Sequence, residues 1–176
     1  GPFALLDQIG LDVAAKVADV MQAAFPERPG RANLLHAMMQ AGLLGVKSGK
    51  GFYLYPRPST GSRPAAPRGP TPQLGPILAA MPGPPAGPQT ALSGPEIAQR
   101  LSDAMINEAA YLLSEKAVER AEVIDLAMVF GTGFPPFRGG LLRYADAAGG
   151  RAVAERLAAL GRTPAPILSA GGRFYP

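Results

Sequence analysis

The sequence predicts an all-α fold, and three observations carry that prediction. Apolar residues return at steps of three and four in several stretches, as one buried face of a helix requires. Period-two alternation, the mark of a half-buried strand, is confined to the short run Gly51-Phe-Tyr-Leu-Tyr55. The 22 glycines and 20 prolines among 176 residues are bunched between the periodic stretches, where they end helices without interrupting them.

Val13, Val17, Val20, Met21 and Ala24 mark a first helix, which Pro26 and Pro29 end. Leu34, Leu35, Met38 and Met39 mark a second, closed by Gly42 and Gly45. Residues 56–95 then hold 12 Pro and 6 Gly in 40 positions. Proline removes a backbone donor and fixes φ, so this density predicts a semi-rigid polyproline II linker. One gap in it, Leu74 to Met81, is able to form a short helical turn. Ile97, Leu101, Ala104, Met105, Ala109 and Leu112 mark the longest helix. Val123 to Phe130 forms another, stopped by Gly131-Thr-Gly133-Phe-Pro-Pro136, and Val153, Leu157 and Leu160 lie on a last one.

An internal repeat organises these elements. Gly1-Pro-Phe-Ala-Leu-Leu-Asp-Gln-Ile-Gly10 echoes Gly140-Leu-Leu-Arg-Tyr-Ala-Asp-Ala-Ala-Gly149, pairing Asp7 with Asp146. One insertion later, Val13, Ala14, Lys16 and Val17 face Val153, Ala154, Arg156 and Leu157. Gly49-Lys-Gly-Phe-Tyr53 then echoes Gly171-Gly-Arg-Phe-Tyr175. The expected organisation is a partial first repeat at 1–55, a linker at 56–95 and a complete second repeat at 96–176. The first copy lacks the upstream half that the second has at about 96–139, so the chain is expected to be a fragment. Its face at Val13, Val17 and Val20 is expected to lean on the second copy's long helix, since each exposed Val or Leu forgoes ~1.5–3 kcal/mol of burial.

Composition excludes several function classes. There is no cysteine and one histidine, His36, so disulfide scaffolds, thiol nucleophiles and multi-His or Cys metal centres fall away. No run approaches the ~18 apolar residues of a membrane span, and a soluble cytoplasmic protein is expected. The net charge of +4 comes mostly from scattered arginines, Arg57, Arg63, Arg68, Arg138 and Arg143 among them. That pattern gives a mild pull toward anions without the basic stripe of a nucleic-acid binder.

Gly1-Pro-Phe-Ala-Leu-Leu-Asp-Gln-Ile-Gly-Leu-Asp12, Leu44-Gly-Val-Lys-Ser-Gly-Lys-Gly-Phe-Tyr53 and Val129-Phe-Gly-Thr-Gly-Phe-Pro-Pro-Phe-Arg-Gly-Gly140 resemble the C-terminal domain of 3-hydroxyacyl-CoA dehydrogenase. The duplicated arrangement is similar to the multifunctional α-subunit of the fatty-acid oxidation complex, which also carries an enoyl-CoA hydratase domain. The resemblance implies a substrate-closing and assembly portion of an NAD-dependent β-oxidation enzyme. It implies as partners the acyl-CoA, an upstream dinucleotide-binding domain, and a thiolase subunit or a second copy. The alternative is a non-catalytic helical module for interaction or dimerisation.

The resemblance places the family's catalytic His–Glu pair, and its NAD, in that upstream domain, so no catalytic, cofactor or metal residue is expected here. The family also uses an Asn in an Asn-Arg-Leu pattern; the second copy has Gln99-Arg100-Leu101 instead. His36 is expected to be structural. Phe130 occupies the place of a substrate-contacting Tyr in bacterial relatives, and is the one substrate contact the resemblance suggests; a core aromatic is the competing expectation. Gly45-Val-Lys-Ser-Gly49-Lys-Gly51 misses the phosphate-loop spacing, and Gly131-Thr-Gly133 follows a helix where a dinucleotide fingerprint follows a strand, so both are expected to be turns. Asp103 and Glu108 are expected to be solvated or capping acids. The duplicated Asp7 and Asp146 are expected to be buried acceptors for backbone amides.

Overall fold

The computed structural model describes residues 1–26, 32–56, 66–81 and 91–176. Pro29, Arg57 and Arg63 lie outside them. The described residues are helical, without a named strand, so the fold is all-α. The chain divides into two compact units, Gly1–Gly87 and Pro88–Pro176.

The first unit begins with α1 (Pro2–Ile9) and α2 (Leu11–Ala24), separated by Gly10 alone, whose φ of 101° makes the corner. α3 (Ala32–Gln40) packs on α2. Leu11, Met38, Leu43 and Phe52 form the buried centre of this unit. A ring contact between Phe3 and Phe52, centroids 4.5 Å apart, ties α1 to it.

Part of the expected linker is built into this unit. Leu54 N–H donates to Gly69 O at 2.9 Å, Arg68 N–H to Leu54 O at 2.9 Å, and Thr71 N–H to Phe52 O at 2.9 Å. The pairing is possible because the donors it uses belong to Arg68 and Thr71, while Pro67, Pro70 and Pro72 fall where no N–H is needed. α4 (Leu74–Ala80) follows, the helical turn expected in the gap, and Leu74 and Ile77 pack against the first core.

The second unit begins with the longest helix, α5 (Gly94–Ser114). The Ser93 hydroxyl accepts from Glu96 N–H and the Glu96 carboxylate accepts from Ser93 N–H, a reciprocal cap that starts the helix sharply. α6 (Ala121–Thr132) ends at Gly133, whose left-handed φ of 73° closes it. α7 (Leu141–Ala148), α8 (Gly150–Ala159) and the one-turn α9 (Pro166–Ser169) complete the unit. α5 packs on α7, α8 and α9, and α6 packs on α7. Ile106, Ala110, Leu141, Leu142, Val153 and Leu168 fill the core between them.

The buried face of α5 is not the one that apolar spacing suggests. Asp103, Ile106, Asn107, Ala109 and Ala110 are buried, whereas Ile97, Leu101 and Leu112 stay substantially exposed. Spacing alone scores Asp103 and Asn107 as solvent-facing. They turn inward because each has a partner there.

Candidate functional site

Asp103 is 2% exposed and receives Arg156 through two bonds, Nε to Oδ2 at 2.7 Å and Nη2 to Oδ1 at 2.8 Å. The carboxylate beside it raises the Arg156 pKa above its ordinary value. Asn107 sits one turn on. Its Nδ2 donates to Thr163 O at 3.0 Å and its Oδ1 accepts from Ala165 N–H at 2.8 Å. The expectation of solvated or capping acids therefore fails for Asp103: it is an interior ion-pair partner. Glu108, on the opposite side of the helix, is exposed.

The duplicated aspartates are backbone acceptors, as their repetition suggested, but only Asp7 is buried and Asp146 is half-buried. Asp7, buried on α1, accepts from Phe52 N–H at 2.8 Å and from Tyr53 N–H at 3.0 Å. Asp146, on α7, accepts from Phe174 N–H at 2.9 Å and from Tyr175 N–H at 3.0 Å. The Tyr55 hydroxyl adds a third bond to Asp7 at 3.0 Å. Burial, reinforced by that bond, pushes the Tyr55 pKa well above the usual tyrosine range.

A third aspartate, missed by sequence reasoning, anchors the second unit. Asp125 on α6 accepts from the α7 amides Leu142 N–H at 2.6 Å and Arg143 N–H at 3.1 Å, and from the Tyr175 hydroxyl at 2.7 Å. Burial and this bond raise the Tyr175 pKa in turn. The signal was an acid inside the apolar run Val123-Ile124-Asp125-Leu126, on a helix otherwise read as core. Gly140 is required here, since a methyl group on it would overlap the Asp125 side chain.

The glycine stretches serve these aspartates. A methyl at Gly51 would overlap the Asp7 carboxylate, and one at Gly45 the Asp7 backbone oxygen. Between them, Ser48 Oγ accepts from Leu44 N–H at 3.0 Å and donates to Lys50 O at 2.8 Å, closing the loop on itself. Gly131 lies inside α6 and Gly133 caps it. Both stretches thus serve as turns and helix ends.

A groove of about 530 Å³ opens in the second unit, lined by Gln99 and Ser102 of α5 and by Phe134, Pro135, Arg138 and Tyr144. The Arg138 guanidinium stacks 4.6 Å from the Tyr144 ring centroid. Gln99 thus lines a cleft with one cation, Arg138, and two hydroxyls, Ser102 and Tyr144. Glu96 also borders it, but its carboxylate is committed to Ser93, which lowers its pKa.

Phe130, the suggested substrate contact, is 84% exposed near the end of α6, so the core-aromatic alternative does not hold. His36 on α3 has its Nε2 2.8 Å from Asp19 Oδ1 on α2, a partly exposed bridge between two helices. Lys47 pairs with Asp12, holding that carboxyl below its ordinary pKa. Among the described residues no cluster of three metal-ligating acids or histidines occurs, and no helix is long and apolar enough to cross a membrane. Residues 1–55, the stretch built around Asp7, match the family described as 3-hydroxyacyl-CoA dehydrogenase, C-terminal domain, and are similar to that domain.

Proposed function

We propose that this chain is the C-terminal, substrate-closing and assembly portion of an NAD-dependent 3-hydroxyacyl-CoA dehydrogenase of fatty-acid β-oxidation, and that it does not catalyse alone. The observation carrying this reading is the family match over residues 1–55. The shared use of Asp7 and Asp146 supports a duplicated domain, as in a multifunctional enzyme with an enoyl-CoA hydratase. In this reading a cytoplasmic parent supplies the His–Glu pair and NAD from its dinucleotide-binding domain. The chain supplies helices that close over the acyl-CoA, with the exposed ring of Phe130 as a contact. A second reading, a helical module that recruits a thiolase subunit or another copy, is favoured by the open apolar face at Val13, Val17 and Val20.

The test is NADH-dependent reduction of acetoacetyl-CoA. The purified chain should show no turnover, and joining it to the dinucleotide-binding domain of a family dehydrogenase should produce turnover. Activity of the chain alone, abolished by His36→Ala, would overturn the first expectation. No turnover from the joined protein would favour the assembly module.

A further inference from the structure

The polar side chains that line the groove beside α5 differ from those of the interior in being unspent. Asp103, Asn107 and Asp125 are bonded to Arg156, to backbone groups or to Tyr175. Gln99, Ser102, Arg138 and Tyr144 converge on the groove, and among the described residues none of their polar ends has a hydrogen-bond or ion-pair partner.

Arg138 is held in place by its own loop. It ends the short 3-10 turn Pro136–Arg138, which follows Pro135 and is closed by Gly139 at a left-handed φ of 77°. Arg138 N–H donates to Pro135 O at 3.1 Å, and Gly139 N–H to Pro136 O at 2.9 Å. The guanidinium carbon lies over two rings, 4.6 Å from the Tyr144 centroid and 5.6 Å from that of Phe137. Rings against its faces leave the N–H edges of a guanidinium for a planar acceptor. A cation ordered in advance loses less freedom when it binds.

The lining also sets the kind of ligand. Glu96 borders the groove, but its carboxylate already accepts from Ser93 N–H at 2.8 Å and from the Ser93 hydroxyl at 2.6 Å, so a ligand cation gains little there. With that negative charge at the border and a single cation, a dianion such as phosphate is disfavoured and a monoanion is favoured. Pro95, Ala98, Phe134 and Pro135 supply apolar walls on which a flat body can lie. The volume of about 530 Å³ falls in the range of small-ligand sites.

We infer that the groove between α5 and residues 134–144 binds a small monocarboxylate with a flat apolar body, its carboxylate on the fork of Arg138 and its body against Pro95, Phe134 and Pro135. The amide of Gln99 and the hydroxyls of Ser102 and Tyr144 add donors beside that fork. The site belongs wholly to the second unit and stands whether or not the chain works in a dehydrogenase.

The probe is phenylacetate, titrated at neutral pH and constant ionic strength into the full isotope-labelled chain. Expected is saturable binding that moves the Arg138 Nε–H and Gln99 side-chain amide signals together. Arg138→Gln should weaken it roughly tenfold or more, and Arg138→Lys should lose part of that affinity, since charge is kept and the fork is not. Ala98→Trp should block the groove with Arg138 intact. Ala98 and Arg138 are exposed, so these variants should unfold at the native temperature. Arg151→Gln, which removes an exposed cation of α8 outside the groove, should leave affinity unchanged. Phenylacetamide should bind much more weakly than phenylacetate, and inorganic phosphate should compete poorly. Absence of saturation, or indifference to both Arg138→Gln and Ala98→Trp, overturns the site. An equal loss with Arg151→Gln would reveal general attraction of anions and overturns it too. Amide and acid binding alike, or phosphate competing as well as the acid, overturns the ligand class.

Discussion

Asp103 reaches the interior because Arg156 goes with it. An ionised carboxylate without a partner would cost several kcal/mol at that depth, and the two-pronged guanidinium contact offsets the loss of water. Arg156 keeps about a third of its side chain in solvent, so the pair straddles the edge of the core. We predict that Asp103→Ala lowers stability by about 2–3 kcal/mol, below the full penalty of an isolated buried charge because Arg156 can turn toward water. The double change Asp103→Leu with Arg156→Met should come within about 1 kcal/mol of the native chain in urea unfolding. A double variant as weak as the single would show that the pair does more than compensate its own burial. At this scale the sequence was partly legible. Asp7 and Asp146 announced themselves by repetition, and their bonds to successive amides of a Phe-Tyr pair match that reading. Asp125 has no duplicate to flag it, and Asp103 looked like any acid on an exposed helical stripe.

Helix boundaries follow from local chemistry that short windows hide. α1 and α7 are each eight residues between glycines, too short for apolar spacing to register, and both pass unmarked in a reading built on periodicity. α5 shows the opposite case, a long helix whose existence was clear and whose buried face was displaced by two inward polar residues. The proline-rich stretch hid a further contribution: the donors at Arg68 and Thr71 pair with residues 52–54 because proline spacing leaves them free. The start of α5 offers a test. Ser93→Ala removes the reciprocal cap and should cost about 1 kcal/mol, with faster amide exchange over 96–98. The Glu96 pKa is lowered by its bonds to Ser93, so its contribution stands above the ordinary glutamate value and fades as pH falls through the lowered one. Stability of Ser93→Ala should therefore vary less between pH 5 and 3 than that of the native chain. Equal slopes would show that the carboxylate gains nothing from the cap.

Two buried tyrosines link the whole molecule to alkaline pH. Tyr55 and Tyr175 hold their protons more tightly folded than unfolded, since burial and a bond to an aspartate both disfavour phenolate. Their contribution is complete below the unfolded value near 10 and is lost as pH rises through the higher folded one. Stability should fall above pH 10 by up to about 1.4 kcal/mol per pH unit for each tyrosine. Tyr55→Phe and Tyr175→Phe should each flatten that decline in thermal unfolding between pH 9 and 11. An unchanged decline in both variants would assign the alkaline limit to other groups. The aspartates that receive these aromatic segments have one more consequence. Asp7 holds Phe52 and Tyr53 across 45 and 46 residues, and Asp146 holds Phe174 and Tyr175 across 28 and 29. Each carboxylate is the clasp of a closed chain loop whose entry and exit lie side by side. A cassette fastened at its own neck can be inserted into a longer polypeptide, or removed from it, while the flanking segments move by only a few bond lengths.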